Sequence, residues 1–269
     1  MSADRKSNFA QSRDSASQLI ALPAMVCFRV TRFCNARCGF CLAPPDGSRH
    51  PSASILKKRI DWLMTKGVKT IHFCGGEPTI HRQLPELIDY VRSQSGKSKL
   101  TTNAITLTDQ LICQLGIAAT EVKVSLHGDQ RHHDEIVGRA AFLSTKESIQ
   151  RLLSAGVSTT VQTTVVAGHL DVVPWILEFC LYNRVPRVSF LPFIMRGSGY
   201  LHRAEYSLTQ AESRSLRNLI KEERRKHTGR LDIRLLDFNL RPIHVVEPDG
   251  RLILEGASEA FDQLITNLP

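Results

Sequence analysis

No stretch of this 269-residue chain approaches the roughly 18 uninterrupted apolar residues that a membrane-spanning helix needs, which excludes a helical membrane protein. The opening from Met1 to Gln18 is polar and lacks the apolar stretch of a secretory signal, so a cytoplasmic protein is expected. Internal repeats and low-complexity segments are absent as well. Cysteine is missing after position 180, and the seven present lie at 27, 34, 38, 41, 74, 113 and 180. An odd set with three thiols inside eight residues fits a metal site better than a disulfide framework. No RNA-recognition motif occurs, and the mixed run from Lys221 to Lys226 reads as an ordinary helical surface. Nucleic acid is therefore not an expected partner, although 35 Lys and Arg against 26 Asp and Glu give +9 and bias the surface toward anions.

What is present suffices for a full core: 42% of residues are hydrophobic and 23% charged, the balance of one globular domain with a small appendage. Residues 1–20 read as a polar N-terminal tail, 21–200 as the core and 201–269 as a C-terminal cap. Short β-rich runs at 25–32, 68–74, 99–103, 121–126, 159–166 and 187–193 alternate with amphipathic stretches such as 54–66, 146–155 and 175–183. In the first of these helices Ile55, Ile60, Leu63 and Met64 share a face, and Gly67 stands where a helix stop belongs. Strands alternating with helices imply an α/β fold with a parallel sheet and right-handed crossovers. Six such units suit a partial (β/α)6 barrel better than a full eight-fold one. After Tyr200 come a charged helix over 209–225, a strand over 231–237, and a β-hairpin of 243–246 and 251–254 around Glu247-Pro248-Asp249-Gly250.

The chemistry concentrates at two strand ends. Cys34-Asn35-Ala36-Arg37-Cys38-Gly39-Phe40-Cys41 follows the first strand, so three thiolates leave one end of the sheet on a single loop, where parallel barrels place their active sites. Three such ligands wrap one cubane iron–sulfur cluster and leave its fourth iron open. The competing reading is a zinc loop, which needs a fourth protein ligand, His50 being the nearby candidate. After the second strand, Cys74-Gly75-Gly76-Glu77-Pro78 lets the backbone approach a ligand and offers a carboxylate.

Together, the CxxxCxxC and GGEP motifs resemble the radical S-adenosylmethionine (SAM) superfamily over residues 25–200. The run from Thr101-Thr102-Asn103 through Val124-Ser125-Leu126-His127-Gly128 is similar to the branch containing the molybdopterin-biosynthesis enzyme MoaA and peptide-modifying enzymes with a cysteine-rich C-terminal extension. The resemblance implies that Cys34, Cys38 and Cys41 hold one [4Fe-4S] cluster whose fourth iron chelates the methionine part of SAM. It implies further that Gly75, Gly76 and Glu77 receive the methionine amino group, and that Thr102, Asn103 and Ser125 face the ribose and carboxylate. Arg139 pairs with that carboxylate, and Phe40 and Leu191 border adenine. Ala104 stands where the family usually has glycine. The cysteines at 27, 74, 113 and 180 read as small buried core residues.

The tail resembles the hairpin that carries auxiliary clusters in relatives, but His244 and Glu255 occupy the ligand positions and no cysteine remains, so one cluster in total is expected. Substrate contacts then fall to barrel-lining side chains. Arg196, followed by Gly197 and Gly199, reads as the anion contact, with Lys123 and His127 as weaker candidates. The resemblance implies an enzyme that cleaves SAM reductively to a 5′-deoxyadenosyl radical, with flavodoxin or ferredoxin as reductant. Its expected substrate is a small phosphorylated or nucleoside-type biosynthetic metabolite. Modification of a ribosomally made precursor peptide, and a non-catalytic iron–sulfur or zinc protein, are the alternatives.

Overall fold

Residues 21–237 and 242–269 are described by the computed structural model, so the tail expected over 1–20 lies outside the described residues. All six expected core strands form: β1 (Met25–Thr31), β2 (Thr70–Gly75), β3 (Lys97–Thr102), β4 (Glu121–Ser125), β5 (Thr159–Val165) and β6 (Arg187–Pro192). They pair in chain order and all in parallel. Helices α1 (Ala53–Thr65), α2 (Leu84–Ser93), α3 (Asp109–Ile117), α4 (Gln130–Val137), α5 (Phe142–Ser154) and α6 (Val172–Tyr182) make the crossovers. The capping signals act as their chemistry requires. The Ser52 hydroxyl accepts from Ile55 N at the start of α1, and Gly67, at a φ of +88°, takes the left-handed turn beyond its end.

One boundary differs from expectation for a reason that local reading misses. Helix α5 starts at Phe142, four residues before the expected 146, although its N-cap residue Ala141 has no capping side chain. The Asp134 carboxylate, from the preceding helix, accepts from the backbone N–H of both Ala141 and Phe142 at 2.8 Å.

Alternation along the strands separates two environments. Val26, Phe28 and Val30 of β1, Ile71 and Phe73 of β2, Val122 and Val124 of β4, and Val188 and Phe190 of β6 are fully buried in the core between sheet and helices. The intervening residues, Cys27, Arg29, His72, Cys74, Lys123, Ser125, Gln162 and Leu191, face a cavity on the other side. The lumen of this barrel is thus hollow where a closed barrel is packed, with polar side chains set in a largely apolar wall.

The C-terminal segment is built into the same sheet. Strand β7 (Asp232–Leu235) pairs in parallel with β6, while β8 (Ile243–Val246) pairs in parallel with β1. The expected hairpin joins β8 to β9 (Arg251–Glu255), and β10 (Gln263–Asn267) adds antiparallel to β9. The ten strands run in the order β10-β9-β8-β1-β2-β3-β4-β5-β6-β7, a barrel left open between its terminal strands. Between β6 and β7 lie the short helices α7 (Ser198–Leu201) and α8 (Arg203–Tyr206) and the long α9 (Gln210–Lys226), which Thr209 and Glu212 start with a reciprocal capping box.

Candidate active site

The loop after β1 carries the three thiols and is fixed from four directions. Arg37 N donates to Val137 O at 2.9 Å, Arg139 donates to Asn35 O at 2.6 Å, the Asn103 amide donates to Asn35 Oδ1 at 2.7 Å, and Ser198 N donates to Cys41 O at 2.9 Å. The turn after β2 lies directly against this loop: Gly76 N donates to Thr31 O and Glu77 N to Phe33 O, both at 2.8 Å. Contact this close admits only glycine. Gly75 has a φ of +146°, and a Cβ on Gly76 would stand 2.1 Å from Phe33 O.

Glu77 follows, 1% exposed, with its carboxylate accepting from Thr79 N at 3.0 Å, Thr79 Oγ1 at 2.7 Å, Thr102 Oγ1 at 2.7 Å and Asn103 N at 2.7 Å. Burial raises its pKa, and these four donors oppose the rise. The carboxylate thereby ties the ends of β2 and β3 together beside the thiols. Ala104, at a φ of +58°, adopts the left-handed conformation that glycine accepts more readily, so the alanine keeps the backbone shape at some strain.

Cys34, Cys38 and Cys41 line one cavity of about 270 Å³ together with Phe40, Gly75, Gly76, Glu77, Thr102, Asn103, Ser125 and Leu191. Every residue expected around the cluster and SAM except Arg139 is therefore on the cavity wall. Arg139 instead holds the cysteine loop through Asn35 O. Burial pushes the Cys34 thiol up to about 11 and, with the neighbouring thiols adding repulsion, pushes Cys38 up to about 12; burial raises Cys41 also. Three thiols so placed keep their protons unless a cationic centre balances them, which is the condition for binding an iron cluster.

The zinc reading finds no fourth ligand. His50 stacks on Phe33 at 4.6 Å between ring centroids and meets His81 edge-on. Among the described residues no three His, Cys, Asp or Glu side chains are close enough to hold a single metal ion.

Arg196 does not face the cavity, contrary to its expected role as the anion contact. It is 5% exposed, donates to both oxygens of Asp262 at 2.8 and 2.6 Å, and stands 3.3 Å from Glu255. Its fork belongs to a buried network in which Glu255 also meets Arg29 at 2.7 Å and Glu247 pairs with both Arg29 and Arg32. This network fastens β8 and β9 to β1. Of the two residues that the sequence reading set at the hairpin's ligand positions, Glu255 belongs to this network and His244 lies on β8.

Several cavity residues, Arg29, His72 and Gln162 among them, are not singled out by the sequence reading, and others have a lesser place in it. Cys27 and Cys74 line the cavity instead of sitting in the core, and Cys113 is exposed; only Cys180 is buried as expected. The alternation of Val26, Phe28 and Val30 was the available signal, since it turns Cys27 to the opposite face. His127, 3% exposed, accepts from Thr164 N at Nδ1, and burial keeps it neutral. Lys123 lines the lumen one step below Ser125 on β4.

A thiol-bearing loop and a glycine–carboxylate turn, meeting at the carboxyl ends of parallel strands above a hollow lumen, define a barrel enzyme that holds its cofactor at the mouth. Residues 28–179 match the family described as the Radical SAM superfamily, and the chain belongs to that family of SAM- and [4Fe-4S]-dependent enzymes. It is 28% identical over 207 residues to Fe-coproporphyrin III synthase of Methanosarcina barkeri, covering 75% of this chain and 52% of that protein. It is 24% identical over 229 residues to PqqA peptide cyclase of Bradyrhizobium diazoefficiens, covering 83% and 60%. Its fold is similar to that of Streptococcus suis SuiB bound to S-adenosylmethionine, with a TM-score of 0.75 at 16% identity over 91% of this chain and 63% of that one. The chain thus spans roughly half to two thirds of the length of these proteins. No helix among the described residues is long and apolar enough to cross a membrane.

Proposed function

We propose that this chain is a single-cluster radical SAM enzyme of the cytoplasm that acts on a small anionic biosynthetic metabolite held in its lumen. One observation carries the reading: the three thiols of the β1 loop and the Glu77 turn line the same cavity that continues down the barrel. Cys34, Cys38 and Cys41 would hold the cluster, which with SAM supplies the radical chemistry when bound. Glu77, fixed by its four donors, offers its remaining acceptor capacity to the methionine amino group. Thr102, Asn103 and Ser125 offer polar contacts to the rest of SAM, and Phe40 and Leu191 an apolar border for adenine. Leu42, Ala43, Ile194, Ile243 and Val245 line the same cavity and keep water from the reacting atoms. A flavodoxin or ferredoxin would supply the electron.

The expected phosphate contact has no support at Arg196, which is not on the cavity wall and whose two terminal nitrogens are engaged by Asp262. The similarity to PqqA peptide cyclase favours a second reading, modification of a precursor peptide. Equilibrium dialysis of SAM against the anaerobically reconstituted protein tests the first reading. Saturable binding that weakens strongly in Glu77→Ala supports it, and absence of saturation at millimolar SAM contradicts it. Release of 5′-deoxyadenosine stimulated by short peptides and not by small acids would favour the second.

A further inference from the structure

Four charged side chains line the cavity: Arg29, Glu77, Lys123 and Glu255. Arg29 is neutralised by Glu247 and Glu255, and Glu77 is surrounded by hydroxyl and backbone donors. Lys123 has no hydrogen bond or ion pair among the described residues. Cys27, also on the cavity wall, and Glu121 favour its charged form while Lys99 and Arg234 oppose it; Glu121 is itself paired with Lys99 at 2.8 Å, and Arg234 with Asp232 at 2.8 Å. A lone ammonium facing a low-dielectric lumen is costly, and burial lowers its pKa accordingly. Among the described residues no carboxylate is paired with it, Glu121 being held by Lys99.

We propose that Lys123 anchors the substrate by receiving one carboxylate, so that the enzyme selects small metabolites with a single negative charge at the end remote from the cysteine loop. The inference rests on the proposed radical SAM function and deepens it. Charge sets the class, because one uncompensated cation neutralises one carboxylate. A phosphate dianion at the same place would leave a net negative charge in the lumen, with no second unpaired cation among the described lining residues.

Position sets the orientation. Thr101 on β3 and Thr160 on β5 stand beside Lys123 in register, and Ser125 pairs in register with Gln162 one step nearer the mouth. Two residues along a strand span about 6.6 Å, so a carboxylate on Lys123 places the substrate's opposite end at the level of Ser125 and the thiol loop. Ser125 and Gln162, both on the cavity wall, offer neutral polar contacts to the body between.

The test compares the reconstituted, SAM-loaded protein with its Lys123→Met and Lys123→Arg variants, all three checked by thermal unfolding. Ligand-observed NMR measures their affinity for a set of small monocarboxylates, phosphate monoesters of matching size, the corresponding primary amides, and an end-blocked peptide containing glutamate. The expected result is that monocarboxylates are retained over phosphates and amides, that Lys123→Met weakens them by about ten- to a hundredfold, the factor that a hydrogen bond to a charged group carries, and that Lys123→Arg restores part of the loss. Equal affinities in wild type and Lys123→Met, no retained carboxylate, or a preference for phosphates overturns the proposal. Retention of the blocked peptide above the free acids keeps the Lys123 carboxylate contact and overturns the small-metabolite reading. Failure of the wild type to bind SAM overturns the function itself, a result read independently of Lys123.

Discussion

Glu77 and His133 meet the same difficulty, burial of a titratable group, in opposite ways. Glu77 collects four donors, so Glu77→Ala leaves Thr79, Thr102 and Asn103 with unsatisfied groups and is expected to cost about 2–4 kcal/mol, measured by urea unfolding, together with the loss of SAM affinity. His133 takes the neutral route: burial pulls it from 6.5 to about 4, while its Nδ1 accepts from His127 N at 3.2 Å. Below pH 6.5 the unfolded chain binds a proton there that the folded chain refuses. Its contribution is therefore fully present above 6.5 and is lost as the pH falls toward 4, by up to about 3 kcal/mol. Urea midpoints taken across that range should fall for the wild type and fall less for His133→Gln. The cysteine triplet and Glu77 were legible in sequence because their meaning is carried by neighbours within eight positions. Arg196 was misread because Asp262, the partner that withdraws it from the lumen, lies 66 residues away and no local pattern announces it.

Among the elements, two joints decide whether the mouth keeps its shape. At the first, the turn after β2 presses on the loop after β1, with Gly76 offering no room for a methyl group. Gly76→Ala is expected to cost about 3 kcal/mol through overpacking and to release iron from the reconstituted protein during desalting, read by iron analysis of the retained protein. At the second, Arg29, Arg32 and Arg196 grip Glu247, Glu255 and Asp262, binding the tail strands to β1 and to the segment after β6. Arg196→Met takes from Asp262 its ion-pair partner and from buried Glu255 one of its two guanidinium neighbours, and is expected to destabilise by about 3 kcal/mol in thermal or urea unfolding. The six core strands were readable from hydrophobic runs and turn residues. The placement of β8 beside β1 was not, since pairing across more than two hundred residues leaves no periodic trace.

For the molecule as a whole, the account is of an open barrel whose outward strand faces make the core and whose inward faces line a hollow lumen with few polar groups, with thiols gathered at the carboxyl ends of the strands. The tail belongs to that barrel and carries no cysteine after Cys180, and the proposed function is of one cluster held by Cys34, Cys38 and Cys41. The measurement that tests this most directly is iron and 5′-deoxyadenosine in one anaerobic preparation, reconstituted with iron and sulfide and then given dithionite and SAM. The account predicts about four irons per chain and slow 5′-deoxyadenosine release, both abolished by Cys38→Ala. About eight irons per chain would contradict the single-cluster reading, and bound zinc without 5′-deoxyadenosine would contradict the radical chemistry itself.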